Sequence, residues 1–483
     1  MNSFVNAVVN DQLYGKSLNG DVVYASSGTR VLDLFKAVGQ RGANLSKELD
    51  FAIMENKGLA FRAMLWARDI RGGAGEREVF RNLLRHMEKN YLSDLLIMIP
   101  IVPEYGRWDD ILIFTDPLAK KTAFKAIAEA LKAENGLCAK WMPRKGTVAA
   151  ELRAYLGWTP KRYRKTLVSL TKVVETQMCA KQWDEIVYDH VPSVAAARYQ
   201  KAFYKHSPEA YKAYRDGLVK VKPDGTTERK INVDALFPYD VVTSWKNGDR
   251  QVADAQWASL KNFIPEGHSI LPMIDLSGSM SAWSYYGQRP NVKGNITPMD
   301  IAISIGLYTS AKQSGAFKGT WLNFSTSPKL RKFTGNLTLT NMYNQLDFND
   351  WGGSTNVDAA FDLVLKTAVD NAVPAEEMPN ILLVASDMEF NCVGGASKVA
   401  YKRAQEKFEA RGYKLPKVVF WNINGRADNS PVKAHESGTA LVSGFSPSVF
   451  KSILSNKLED FSPYNIMLET LKDKRYDVPG LTV

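Results

Sequence analysis

Short apolar runs recur through the second half of the chain: Ile270-Leu271-Pro272-Met273-Ile274, Gly319-Thr320-Trp321-Leu322-Asn323-Phe324, Ile381-Leu382-Leu383-Val384-Ala385 and Lys417-Val418-Val419-Phe420-Trp421. Helical patterns near 298–314, 355–370 and 397–411 separate them. A strand with one wet face alternates polar and apolar residues, whereas continuous apolar strands are buried on both faces. The second half is therefore expected to form a parallel sheet sandwiched by helices, with ligands bound at the carboxyl ends of its strands. One last strand and two helices are expected within 436–470.

The first half follows another pattern. From residue 45 to about 215, apolar residues recur at helical spacing, as in Leu59-Ala60-Phe61-Arg62-Ala63-Met64-Leu65-Trp66-Ala67-Arg68, which stops at Arg71-Gly72-Gly73-Ala74-Gly75. Further helices are predicted at 76–90, 92–102, 107–114, 117–135, 147–156, 160–180 and 193–206. Thr159-Pro160 is the clearest start, a capping threonine followed by proline at the first helical position. Helices without strand-like alternation, and without an exact sequence period, predict an α-solenoid of irregular repeats. The polar segment 221–230 reads as a hairpin loop or linker. A chain of 483 residues exceeds what one core serves, so two domains are expected, 1–250 and 251–483. Residues 436–483 could complete the second domain or return to the first.

Several classes are excluded by composition. No run of about 18 apolar residues is present, and the start Met1-Asn2-Ser3-Phe4 lacks the basic-then-apolar plan of a secretory signal, which points to the cytoplasm. Cys138, Cys179 and Cys392 are widely separated and have no metal-ligand spacing, which fits a reducing compartment. The net charge of +11 is unevenly placed: residues 1–250 hold 39 basic and 29 acidic residues, residues 251–483 hold 23 and 22. A basic binding surface is thus expected in the first half.

Chemistry concentrates at the end of the first apolar run. Asp275-Leu276-Ser277-Gly278-Ser279 offers a carboxylate and two hydroxyls on alternate residues, all hard oxygen ligands. Gly352-Gly353-Ser354-Thr355-Asn356 precedes a predicted helix, and Ser386-Asp387-Met388-Glu389 follows a predicted strand. Asp275, Ser277, Ser279, Thr355 and Asp387 would make an oxygen shell of low charge suited to octahedral Mg²⁺ or Mn²⁺. The pattern resembles the von Willebrand factor A domain and its metal-ion-dependent adhesion site, Asp-x-Ser-x-Ser followed by a Thr and an Asp. The family's Gly-Gly-Thr is interrupted here by Ser354, so either Ser354 or Thr355 could be the ligand.

Arg68-Asp69-Ile70-Arg71-Gly72-Gly73-Ala74-Gly75-Glu76-Arg77-Glu78, Pro103-Glu104-Tyr105-Gly106-Arg107-Trp108-Asp109-Asp110 and Gly157-Trp158-Thr159-Pro160-Lys161-Arg162-Tyr163-Arg164-Lys165 resemble the TROVE module of Ro-type RNA-binding proteins. Cys179-Ala180-Lys181-Gln182-Trp183-Asp184 and Trp351-Gly352-Gly353-Ser354-Thr355-Asn356 are similar to a plant and bacteriophage branch of that family. The likeness covers roughly residues 45–465. It implies a ring of irregular HEAT-like repeats closed by a Rossmann-like von Willebrand A domain, binding small structured or misfolded RNAs on its basic outside and single-stranded ends in the hole. A protein offering an Asp or Glu to the metal, such as a nuclease, would be a further partner. No membrane contact is implied, and a monomer is expected.

Local residues give that implication a physical basis. Lys161, Arg162, Arg164 and Lys165 are four cations within five residues at a helix start, an unfavourable grouping unless an anion neutralises it. Trp158 and Tyr163 either stack on unpaired bases or belong to the core. Lys140, Arg144, Lys145 and Arg153 would extend the surface, whereas Arg68, Arg71, Arg77 and Arg107 have acidic neighbours and are expected in structural ion pairs. No phosphate loop, His-Glu-x-x-His or Gly-x-Ser-x-Gly motif is present, and the five histidines are isolated. A binding protein is expected rather than an enzyme, although Glu389 keeps a metal-dependent nuclease conceivable. The rival reading is a metal-dependent protein scaffold that binds no RNA.

Overall fold

The computed structural model describes residues 14–40, 42–171, 173–219, 231, 233, 236–247, 250–281, 296–346, 353–391, 397–454 and 461–482. The linker expected at 221–230, together with Trp351, Gly352 and Cys392, lies outside them. The chain is a mixed α/β protein, helical in its first half and built on a six-stranded sheet in its second.

It opens with an antiparallel hairpin, β1 (Tyr14–Lys16) and β2 (Val22–Tyr24). Helices follow: α1 (Arg30–Phe35), α2 (Ser46–Arg68), α3 (Glu78–Asn90), α4 (Leu92–Met98), α5 (Val102–Tyr105), α6 (Pro117–Lys132) and α7 (Gly136–Trp141). Next come α8 (Thr147–Leu156), α9 (Pro160–Leu170), α10 (Val174–Cys179), α11 (Ser193–His206), α12 (Pro208–Val219), α13 (Pro238–Lys246) and α14 (Arg250–Ser259). Helix α2 is broken at Asn56, whose backbone is extended and whose Oδ1 accepts from the Leu59 N–H at 2.9 Å, capping the second segment. The helix expected over 160–180 ends at Leu170, where Thr171 turns extended, and a separate short helix begins at Val174. That expected over 107–114 is a 3₁₀ turn, Trp108–Leu112.

The second half contains β3 (Ile270–Asp275), α15 (Pro298–Lys312), β4 (Thr320–Phe324), β5 (Lys329–Lys332), α16 (Leu339–Asn344) and α17 (Val357–Asp370). After these come β6 (Ile381–Ser386), α18 (Ala400–Ala410), β7 (Lys417–Asn422), β8 (Thr439–Ser443), α19 (Val449–Leu454) and α20 (Pro463–Leu471). The sheet order is β5-β4-β3-β6-β7-β8, parallel throughout except for β5, which returns antiparallel to β4. Strands β3 and β6 are buried at every residue, as continuous apolar runs require. Strand β5 carries Lys329, Arg331 and Lys332, charges that protect a sheet edge from pairing with another chain. Helix α15 is buried from Pro298 to Ser310 and closes tightly on the sheet at Gly306, where a Cβ would meet Ile274 Cδ1 at 2.1 Å.

The two halves share one hydrophobic core that runs from Val31 to Leu481. Several contacts join them. Gly39 donates its N–H to Ser443 Oγ, Arg475 pairs with buried Asp69, and Arg62 donates to the Leu471 and Thr482 carbonyls. Helix α20 accordingly packs against both β8 and α2. Residues 174–218 keep a separate cluster around Tyr188, Phe203, Tyr211 and Tyr214. Among the described residues no helix is long and apolar enough to cross a membrane.

Candidate functional site

After β3 the chain builds β4 on one side and then crosses to place β6 on the other. The connection direction reverses between β3 and β6, and the crevice beyond their carboxyl ends is where open α/β sheets bind ligands. Asp275 is the last residue of β3, Ser386 is the last of β6, and Asp387 follows it.

Three loops meet there. Asp275 Oδ1 accepts from the Ser277 N–H at 2.9 Å, folding the loop back over its own carboxylate, and Oδ2 accepts from the Ser386 hydroxyl at 2.5 Å. Ser277 and Ser279 hydroxyls lie 3.2 Å apart. The third loop is tied in by the Gly278 N–H donating to the Gly353 carbonyl at 3.3 Å. Gly353 has φ +76°, and a Cβ there would strike Thr326 Oγ1 at 2.2 Å, so the loop needs glycine at this position.

Asp275 is 0% exposed and Asp387 3%. Burial pushes the Asp275 carboxyl up to about 6, with hydrogen bonds from Ser277 and Ser386 opposing the shift. Burial, then repulsion from Asp275, pushes Asp387 up to about 7, partly offset by the Ser279 hydroxyl. Among the described residues no lysine or arginine pairs with either. Two buried carboxylates facing each other without a counter-charge form a site that favours a cation or a shared proton. Hydroxyl and carboxylate oxygens are a hard donor set, which fits Mg²⁺ or Mn²⁺ and does not fit a soft metal. No group of three or more His, Cys, Asp or Glu among the described residues adds further metal-binding charge.

The alternatives at 354 and 355 separate in space. Thr355 is 1% exposed, its N–H donates to Asn391 Oδ1 at 2.7 Å, and no hydrogen bond from the described residues engages its hydroxyl. Ser354 instead turns to Thr326, donating from its N–H at 3.2 Å. Among the described residues, Thr355 is thus the one of the two whose hydroxyl no hydrogen bond engages. Glu389 is occupied elsewhere, accepting from the Leu18 N–H at 2.5 Å and pairing with Arg426 at 3.2 Å. Sequence reasoning missed three contributors: Ser386, Asn391 and the hairpin that holds Glu389. Ser386 reads as an ordinary polar residue at a strand end until β3–β6 pairing sets it beside Asp275, and Asn391 reads as an ordinary loop residue until its hydrogen bonds tie it to Thr355.

On the helical half, α9 presents Tyr163 and Leu167 to the core and turns Lys161, Arg162, Arg164 and Lys165 to solvent. Tyr163 is 2% exposed and donates its hydroxyl to the Pro143 carbonyl at 3.0 Å, so it is a core residue and not a stacking surface. Trp158 is half-buried beneath the Arg162 guanidinium, 5.0 Å from the ring centre. Arg144 spans from the Ala139 carbonyl to the Thr171 hydroxyl, linking the turn after α7 to the end of α9. Lys140 and Lys145 are exposed near it and Arg153 is half-buried. Among the described residues none of these eight cations forms an ion pair.

The other arginines of this half behave differently. Arg68 pairs with Asp110 at 2.8 Å with both side chains buried, Arg81 holds Asp109 and Asp110, Arg107 holds Asp109, and Arg77 holds Glu78. Arg71 donates to the Glu104 carbonyl at 2.9 Å. Arg68, Arg77 and Arg107 thus form the ion pairs their acidic neighbours led one to expect, whereas Arg71 meets a backbone carbonyl and no carboxylate among the described residues.

Residues 118–267 match a family described as a domain of unknown function (DUF2828). Residues 269–477, which include every candidate cation ligand, match a second such family (DUF7788). Over 520 aligned residues the chain is 28% identical to "Uncharacterized protein L728" of Acanthamoeba polyphaga mimivirus, covering 94% of this chain and 86% of that protein.

Proposed function

We propose that this chain is an RNA-binding protein of the TROVE type, in which irregular HEAT-like repeats form a ring closed by a von Willebrand A domain. Its RNA surface is the face of α7, α8 and α9 carrying Lys140, Arg144, Lys145, Arg153, Lys161, Arg162, Arg164 and Lys165, with Trp158 beneath Arg162. One observation carries the reading. Eight cations on α7, α8, α9 and the turn after α7 form no ion pair among the described residues, in the half where Arg68, Arg77, Arg81 and Arg107 are all paired. Leaving so many like charges unneutralised is unfavourable unless an anion such as a phosphate backbone completes them. Among the described residues no motif addresses base sequence, so selection by RNA shape and by single-stranded ends follows.

Asp275, Ser277, Ser279, Thr355 and Asp387 would hold the divalent cation. When bound, the ion supplies a Lewis-acidic position open to an Asp or Glu of a protein partner, such as a nuclease that receives the RNA. With Glu389 bound to Arg426 and Leu18, the centre offers two carboxylates, a set suited to adhesion more than to hydrolysis.

The buried carboxylate pair also favours a second reading, a protein scaffold whose binding depends on the cation alone. Binding of a stem-loop RNA with a single-stranded 3′ tail, followed across a salt series with and without chelator, separates the two. RNA binding through phosphates weakens steeply with salt, by a log–log slope of roughly 0.7 per single-strand contact, and survives chelation. Absence of salt-sensitive RNA binding would leave the scaffold.

A further inference from the structure

The cation site is braced from outside by the N-terminal hairpin, which contributes no ligand. Its turn is closed on itself, the Ser17 N–H donating to the Asp21 carbonyl at 2.9 Å and the Asp21 N–H to Ser17 Oγ at 2.9 Å. The tip then grips every residue from 389 to 391. Ser17 Oγ donates to the Phe390 carbonyl at 2.5 Å, the Leu18 N–H to Glu389 Oε2, and Asn19 to the Glu389 carbonyl, while Gly20 bridges Asn391. Arg426 closes the grip from behind, holding Glu389 Oε1 and the Lys16 carbonyl together.

The same hairpin reaches the loop that carries Thr355. Buried Asp21 accepts from Arg403 at 2.9 Å, and Arg403 also clasps Asp358 in the first turn of α17, three residues after Thr355. Asn391 completes the link, accepting from the Thr355 N–H at 2.7 Å and donating to its carbonyl at 3.0 Å. The turn of one short hairpin is therefore bonded through Ser17–Gly20 to the loop of Asp387 and through Asp21, by way of Arg403, to the helix that follows Thr355. The third loop, with Asp275, is set by the sheet itself.

We infer that the hairpin is the positioning element of the cation site, with Glu389, Asn391 and Asp21 fixing the separation of the Asp387 and Thr355 loops. This rests on the cation reading given above and names what controls affinity there. Ligands must be held to within a fraction of an ångström to be preorganised, and residues that touch no ion can set that distance. Because coupling free energies are reciprocal, a hairpin that tightens the cation must itself be tightened by it.

The test uses the full-length protein and Mn²⁺, read by its paramagnetic resonance. Glu389→Gln and Asp21→Asn, which alter no ligand, should each weaken Mn²⁺ binding by about fivefold or more and broaden the bound-ion signal, as coupling of ordinary size implies. Lys16 is exposed and is the first basic residue of the chain, so trypsin releases peptide 1–16 only by cutting at the hairpin. Saturating Mn²⁺ should slow that release about fivefold in the natural sequence and leave it unchanged in Asp387→Asn. This second measurement stands even if a hairpin variant fails to fold. Normal Mn²⁺ binding by the natural protein, with unaltered release of 1–16 and unweakened variants, would overturn the role of the hairpin and spare the site. No Mn²⁺ binding by the natural protein would overturn the cation site and the hairpin's role together.

Discussion

The Ser386 hydroxyl donates to Asp275 across the gap between β6 and β3, the two strands at which the sheet changes direction. A buried carboxylate that would otherwise keep one oxygen bare is thus tied to the neighbouring strand. Removing the donor strands the charge in a dry site. Ser386→Ala should destabilise the cation-free protein by about 1–3 kcal/mol, the usual cost of an unsatisfied buried group. Denaturant unfolding in chelator would measure it, and an unchanged midpoint would mean the bond contributes nothing.

Asp275 and Asp387 also set a pH dependence. Both are pushed above the ordinary aspartate value of 3.8, to about 6 and about 7, because burial disfavours both charged forms and Asp275 in addition repels Asp387. Between about pH 4 and pH 7 the native state consequently holds more protons at this pair than the unfolded chain does. Stability contributed by the pair falls as pH rises through that window. Thermal unfolding with chelator should follow this trend relative to an Asp275→Asn/Asp387→Asn control, and saturating Mg²⁺ should flatten it. Identical profiles for the two proteins would count against the burial argument.

The positions 354 and 355 make different demands. Thr355→Ala removes the buried hydroxyl that nothing else among the described residues engages, and should weaken Mn²⁺ binding about tenfold, or roughly 1.4 kcal/mol. Ser354→Ala touches a side chain turned toward Thr326 and should change affinity less than about twofold. The reverse order in a titration would make Ser354 the ligand.

Much of this arrangement could be read from residue types. Continuous apolar runs such as Ile381–Ala385 announced buried parallel strands, and the Thr159-Pro160 start of α9 is capped as expected. What escaped were features fixed by distant partners. Hairpin β1–β2 is too short to signal itself, and its turn is held in addition by Glu389, Phe390 and Asn391 some 370 residues away. Strand β5 reads as a charged loop, Lys329-Leu330-Arg331-Lys332, until β4 offers it an edge. Tyr163 sits among four cations in sequence, and only the helical rotation that sends it inward removes it from the surface.

Arg68 tests the distinction between paired and unpaired cations. Its guanidinium and Asp110 are both buried, so Arg68→Ala leaves a carboxylate held only by Arg81 and the Arg107 backbone N–H among the described residues. The expected loss is about 3–5 kcal/mol of folding stability, seen by denaturant unfolding. RNA affinity of the folded protein should be unchanged. Weakened RNA binding at full folding would place Arg68 on the binding surface instead.

The most direct test of RNA binding is crosslinking in the protein's native cell followed by sequencing of the recovered RNA. The control is a variant in which Lys161, Arg162, Arg164 and Lys165 are all replaced by glutamate. Recovery of defined small RNAs with the natural sequence, lost in the variant while its unfolding midpoint stays put, is the expected result. Equal recovery from both proteins, or no RNA above background with cation-dependent recovery of a protein, would contradict it.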